Sequence, residues 1–509
     1  MLISQQISGL YNGVSQQPPT IRLPSQCEEQ VNAWGSVVDG LGKRAPAVHI
    51  KRLTASNLES AYLHVINRDV TERYLVVVSH RSIQVYDMDG NAKSVDFPEG
   101  TDYLQVPAGK RADEVFALVT VADYTFVVNK SVQVQLSDVG ADLVAPSSNY
   151  FWLNRQSDDG VGSATQLQYP PNLGGTYRGS RQSLQDLPET AREGDIYMIQ
   201  ATGESLFVPY YVRYTGGVWA ETVKPGLKNR INEKTMPHAL VRRPDGTFVF
   251  APFSYAPRRV GDYTTNPHPS FVGRTINDVF FYKNRLAFAV DENVVFSRAG
   301  DFGNFYRLTV LDLLDDEVVD VAASETKVTK INHAVPLAGS LMLFADQVQF
   351  RLNDGPALTP TSVSLDVATQ YEMVQTVRPE PLGADVYFAS ENGPWAIIRE
   401  YFVKDDTNST DAVDVNNHCP RYIPSGVRRL TGSSEHDVLF VLTRGAKNRV
   451  YVYKFYWANQ TERMQGAWSF WKFLPNDDVL TAAVLDDYLY LVVRRPDGAY
   501  LERMSLHRG

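Results

Sequence analysis

The sequence predicts a mainly β protein, a propeller-like array of seven to eight antiparallel blades with an inserted small β-rich domain and an extended N-terminal arm. Three observations predict it. A strand-turn-strand unit recurs along the chain, its first strands ending at Val78, Val128, Val290, Ala345, Ala389, Leu442 and Val493. All but one of the intervals fall near about 50 residues, within the range of propeller blades. Second, Arg242 to Gly246 (RRPDG) is repeated at Arg494 to Gly498, and the first copy stands in the one long interval, where it marks an eighth hairpin. Third, 27 Tyr and 23 Phe combine with 34 Gly and 28 Pro, a composition of strands separated by turns.

The best-formed unit is Arg285 to Val290, turned through Asp291, Glu292 and Asn293 into Val294 to Ser297. Others run from Tyr74–Val78 into Ile83–Tyr86, Tyr124–Val128 into Val132–Val134, and Leu341–Ala345 into Val348–Phe350. Val386–Ala389 turns into Trp395–Ile398, Val438–Leu442 into Val450–Tyr453, and Tyr488–Val493 into Ala499–Leu501. The predicted organisation is an arm over residues 1–54, first blades over 55–143, an insertion over 144–236 and the remaining blades over 237–509.

Within the arm, Gly13, Pro18, Pro19, Pro24, Gly35, Gly40 and Pro46 exclude long helices, leaving at most a short one over Gln26 to Val31. Ile7, Leu10, Val14, Ile21, Leu23, Val31 and Trp34 offer too much apolar surface for a solvated tail. In the insertion, Asp158, Gly160, Pro170, Pro171, Gly174 and Gly175 punctuate the first part. Asp195–Gln200 and Tyr210–Trp219 read as strands, the latter broken by Gly216 and Gly217, with a helical turn within Leu184 to Arg192. The aromatic residues there form either a sugar-binding face or the insertion's own core, and its small size favours the core.

Composition is that of a folded globular protein, 43% hydrophobic and 21% charged. A net charge of -9 excludes a general nucleic-acid clamp but is compatible with a conduit that holds passing DNA weakly. Cys27 and Cys419 are expected as reduced thiols. No apolar run reaches the length of a membrane span, and MLISQQISGL has neither a basic start nor an apolar signal core, so the chain is expected to fold where it is made.

The sequence carries little catalytic chemistry. Asp87 to Asn91 reads as a hairpin turn, since its glycine falls too early for a calcium loop. Gly40 to Arg44 lacks the upstream glycine and the Ser or Thr of a phosphate loop. Asp312, Asp315, Asp316, Glu317 and Asp320 are read as a solvated acidic loop. No H-E-x-x-H or G-x-S-x-G occurs, so no catalytic, metal or cofactor residues are assigned. The enzymatic alternative is a propeller glycoside hydrolase or depolymerase acting on host surface polysaccharide, with carboxylates of several blades meeting at the axis.

Asn12 to Pro18 (NGVSQQP), Arg22, Pro24, Gln30 to Asn32, Trp34 and Gly40 to Pro46 (GLGKRAP) resemble the opening of the podovirus tail tubular protein B, or tail nozzle, family. Asn284 to Ala289 and Ser297 to Phe305 resemble that family's central segment. The resemblance implies a structural virion protein of a short-tailed phage, assembled in the host cytoplasm as a homohexameric ring. That ring would extend the DNA ejection channel below the portal adaptor, tail tubular protein A, and help dock tail fibres, with double-stranded DNA passing through without sequence-specific binding. Members of that family run considerably longer than this chain. Gln16, Gln17, Arg22, Asn32 and Arg44 are the candidate contacts to a neighbouring subunit or the adaptor; the alternative is that they pack on the arm's own propeller.

Overall fold

A computed structural model describes residues 9–137, 177–201, 208–225, 227–323, 329–337, 339–355, 357–403, 410–458 and 462–507, and the backbone of Tyr150–Asn154 and Ala164–Gln168. The protein is mainly β, built from many small antiparallel sheets. The glycines and prolines expected to punctuate residues 158–175 lie outside the described residues.

Six sheets run in chain order, each with the edge strand named here counted as its first: Tyr62–Asn67, Phe116–Val121, Asp278–Tyr282, Ile331–Leu337, Glu380–Leu382 and Val427–Ser433. The seventh contains Asp478–Leu485, Tyr488–Arg495 and Gly498–Ser505, and takes its outer strand, Val48–Thr54, from the other end of the chain. Of the arm expected over 1–54, the final seven residues are therefore sheet.

The second strand of each sheet explains why the repeat was visible. Arg285–Val290 and Val438–Thr443 are buried at every position. Strands covered on both faces read as unbroken apolar runs. Successive residues then face opposite neighbours: Val76 and Val78 pack with Leu118, Val127 and Phe250 of the second sheet, while Leu75 and Val77 pack with Val492 and Leu501 of the seventh. Leu341 and Leu343 pack against Ala287 and Val294 of the third sheet, while Met342 and Phe344 pack against Val386 and Phe388 of the fifth. Phe126 and Val128 meet Phe288 and Val290, Tyr387 meets Leu439, and Phe440 meets Leu489. The first strands of the sheets also touch in succession, and that of the seventh touches that of the first.

Tyr124–Asn129 does not turn back through Val132–Val134. It pairs instead with Phe116–Val121 and with the distant His238–Arg242. The side-chain oxygen of Asn129 accepts from the Ser131 N–H at 3.0 Å and turns the chain aside. Gln133 and Val134 then bridge to Thr275 and Val272. The second hairpin and the RRPDG hairpin at Arg242 are thus two halves of one sheet, and the insertion departs from between them. Gly246, at φ 79°, closes the RRPDG turn as its sequence demands.

The insertion holds a four-stranded sheet of Tyr177–Arg181, Ile196–Ile199, Tyr210–Thr215 and Val218–Thr222, and a hairpin of Tyr150–Asn154 with Ala164–Gln168. Leu184–Asp186 is a single 3₁₀ turn, capped reciprocally by Ser183 and Asp186. Tyr197, Tyr210 and Val212 form its core with Trp219, in keeping with the packing role expected for its aromatics.

Deleting residues 1–54 is expected to expose the edge of Gly498–Ser505 and to speed amide hydrogen exchange there, with sheets three and four changing less. Unchanged exchange in Gly498–Ser505 would refute the role given to the outer strand.

Candidate functional site

The arm is seated on the sixth sheet, chiefly along its strand Arg463–Lys472. Val14 is fully buried, and its N–H donates to the Trp468 carbonyl at 2.9 Å. Gly13 has φ 72°, and a Cβ there would lie 2.5 Å from that same carbonyl oxygen, so the NGV of the opening motif is dictated by close approach of two backbones. Gln465 Nε2 donates to the Tyr11 carbonyl at 2.7 Å, Trp471 Nε1 to that of Ala33 at 3.0 Å, and Trp34 packs on Trp471 with ring centroids 5.6 Å apart. Gln26 to Val31 is extended, not helical: Cys27 bridges to Val14 and Val31 to Phe470, so these backbone groups are engaged across the arm and its seat.

Each of the five candidate interface residues bonds within this chain. Asn32, at φ 55°, accepts through Oδ1 from Arg44 Nε at 2.9 Å and from the Lys472 N–H at 2.8 Å. Burial lowers the pKa of Arg44, whose guanidinium lies 5.3 Å over the Phe473 ring. Gln16 accepts from the Arg421 N–H at 2.9 Å, and Arg22 donates to the Gln17 carbonyl and pairs with Glu28 at 3.1 Å. Gln16 is exposed, and Gln17 and Arg22 are half-buried beside a surface recess that they share with His418 and Pro420.

A second feature was not singled out in the sequence. The first strands of six of the sheets line a cavity of about 90 Å³ with Tyr62, Asp278, His333, Arg378, Arg429 and Thr481 among its walls. Arg378 Nη1 donates to both oxygens of Asp278 at 3.1 and 3.0 Å, and its Nη2 donates to the Ala334 carbonyl at 2.7 Å, tying the third sheet to the fourth. Glu380 accepts from the Gly432 N–H at 3.1 Å, tying the fifth to the sixth. Burial pushes the Glu380 carboxyl up to about 7 against the opposing pull of Arg429 and Arg378. Burial holds His64 down to about 3, with Arg429 and Arg378 acting in the same direction, and its ring bonds the Thr120 hydroxyl at 2.8 Å. His333 is likewise lowered, to about 4, and its Nε2 donates to the Gln375 carbonyl at 2.7 Å. The only sequence signal for this site is charge where apolar strands begin, in NDVFF, RPEPL and VRRL.

The expected solvated acidic loop divides. Glu317 is fully buried, accepts from the Leu308 N–H at 3.1 Å, and is raised by burial. Asp320 accepts from Ser270 and Asn293, and Asp316 pairs with Arg298. These residues fasten the loop to the third sheet, which their spacing alone did not disclose. Asp87 accepts from the N–H groups of Asp89 and Asn91, as a hairpin turn requires. Gly40–Lys43 pairs with Ala33–Ser36 as a strand, away from phosphate-loop geometry. Both cysteines are free. Among the described residues no helix is long and apolar enough to cross a membrane, and no group of three His, Cys, Asp or Glu is placed to hold a metal ion.

Stacked sheets, an arm bonded down at several points and carboxylates engaged by cations or backbone amides define a structural β scaffold. The chain belongs to the bacteriophage nozzle protein family, whose sequence profile matches residues 1–146 and 139–509. That makes it a structural protein of the virion tail. It is 33% identical to the tail tubular protein gp12 of Escherichia phage T7 over 581 aligned positions, spanning 99% of this chain and 72% of that one. Among solved structures, the WD40 domain of SCAP from fission yeast is 10% identical at a TM-score of 0.34, covering 89% of this chain and 97% of its own. A quinonprotein alcohol dehydrogenase-like protein from Bacteroides thetaiotaomicron is 8% identical at 0.32, covering 88% and 78%. Scores this low carry no argument about the fold.

Gly13→Ala is expected to loosen the arm, at a cost of about 1–3 kcal/mol from overpacking and strain. Gly40→Ala, at φ 73° with nothing within 4 Å of its added Cβ, is expected to cost less, about 1 kcal/mol. Urea titration of both variants, with tryptic cleavage after Arg22 as a second readout, checks the difference; equal costs would contradict it.

The raised carboxyl of Glu380 favours the folded state below its unfolded value of 4.5, and that contribution is lost as pH rises through about 7. Glu380→Gln is therefore expected to gain stability relative to the parent on going from pH 5 to pH 8, measured by chemical denaturation at both. A variant-to-parent difference independent of pH would show that Glu380 does not titrate in this window.

Proposed function

We propose that this chain is the nozzle subunit of a short phage tail, a seven-bladed propeller closed by its own N-terminal strand. In this reading residues 55–143 and 237–509 form the blades with Val48–Thr54 as the closing strand, and residues 144–236 are an inserted platform-like domain. Several copies, six on this reading, form a ring below the portal adaptor, extend the channel through which double-stranded DNA leaves, and help dock tail fibres. The observation that carries the proposal is the match of the nozzle family along the whole chain. The succession of packed sheets returning to the first supports the propeller reading.

Charge is compatible with a conduit. Each chain carries -9, so a ring of six would repel the DNA backbone overall and let it pass with weak contacts. A non-enzymatic role is supported by the engagement of three of the four cavity carboxylates: Asp278 is held by Arg378, Asp113 pairs with Arg111 and Arg444, and Glu59 with Lys447. A glycosidase needs a free carboxylate opposite a protonated one.

A closed ring requires a different face of each subunit to meet its neighbour. We assign the exposed edge of Gln16, Gln17 and Arg22 to the neighbour or the adaptor, and Asn32 and Arg44 to fixing the arm that presents it. Mass photometry and negative-stain imaging of the protein alone and mixed with the adaptor are expected to reveal a six-fold ring or a ring-on-adaptor particle. Monomers under both conditions would overturn the reading. Gln16→Ala combined with Gln17→Ala is expected to reduce assembly in light scattering while leaving Tm within about 2 °C, as for surface changes of about 0.5 kcal/mol. Unaltered assembly would confine these residues to packing.

A further inference from the structure

We propose that the cavity lined by the first strands is a binding site for a small tetrahedral oxyanion, inorganic phosphate or the free phosphate group of a small ester, held by Arg429, Lys130 and Arg428. The cavity concentrates cations in a chain whose net charge is negative. Its walls also contain Asp278, Asp113, Glu59 and Glu114, but the first three are bonded to Arg378, to Arg111 and Arg444, and to Lys447. Arg428 Nη2 pairs with Asp478 Oδ1 at 3.1 Å, and its Nε lacks a hydrogen-bond partner among the described residues although the side chain is only 6% exposed. Arg429 Nε is also buried and without a partner. Lys130 lines the same space, and burial lowers the pKa of its ammonium, with Asp278 opposing and Arg378 and Lys330 adding to the effect. Unpartnered buried donors of one sign cost stability unless a complementary ligand meets them.

Backbone irregularity accompanies Arg428 and Arg429 at the cavity. The pairing of three first strands shifts register between Ile331 and His333, between Val427 and Arg429, and between Val479 and Thr481. A bulge lets consecutive residues reach one side of a strand. Consistent with that, both Arg428 and Arg429, and both Leu480 and Thr481, line the cavity. At about 90 Å³ the space accepts several waters or one oxyanion.

The test uses the full chain. Sodium phosphate is titrated against sodium chloride of matched ionic strength, with calorimetry for stoichiometry and thermal unfolding for linkage. Saturable binding of one phosphate per chain, with a rise in Tm that chloride does not produce, is expected. Arg429→Gln and Lys130→Gln are each expected to weaken binding by about tenfold or more. Without phosphate both variants are expected to unfold no earlier than the parent, because each removes one positive charge from a wall that Lys130, Arg378, Arg428, Arg429 and Arg444 share. Absence of a phosphate-specific shift, variants that bind as the parent does, or variants destabilised without ligand would overturn the proposal. Displacement of bound phosphate by short duplex DNA would also overturn it, because the cavity would then be open to a polymer.

Discussion

Everything in this molecule leans on the pairing of its two ends. Val48–Thr54 joins Gly498–Ser505, and until it does the last sheet has a bare outer edge. Bringing such distant segments together costs loop entropy that grows only slowly with length, so one long closure is tolerable once many local hairpins have formed. The return is cooperative: a single sheet buries neither face by itself, whereas in a closed succession each is covered on both. Gly498 shows how tightly the junction is made, since a Cβ at φ 150° would lie 2.3 Å from the Thr54 carbonyl oxygen.

The arm extends the same closure. After the chain leaves Leu10 it crosses the sixth sheet before entering the seventh, so the two last sheets are clamped by residues 11–54. Trp34 between Trp471 and the Lys454 ammonium, and Asn32 between Arg44 and the Lys472 backbone, are the points of fixation. A scaffold of this kind is stiff where its sheets pack and free to vary in its loops. Such stiffness suits a structural protein of a virion tail.

The axis has a different physics. Burial there keeps His64 and His333 neutral and lifts Glu380, while Arg378 links neighbouring sheets through Asp278. These polar ties replace the apolar contacts that fill the rest of the structure. They bear on which sheet meets which, because a misplaced first strand would leave a buried charge alone.

What the sequence determined by itself is the alphabet of the fold: strands such as Arg285–Val290 and Val438–Thr443, the turns at Asp87 and at Gly246, and the apolar, glycine-bearing arm. Those features are local, written in side-chain size, turn chemistry and the freedom of glycine, and they survive without knowledge of neighbours. Only the tertiary structure decided that Tyr124–Asn129 pairs across the insertion with His238–Arg242, that Glu317 turns inward, and that Arg378, Glu380 and Arg429 meet at an axis. Strand partners and buried charges are set by contacts between segments far apart in the chain, and a local pattern of alternating residues is satisfied equally well by the wrong partner as by the right one.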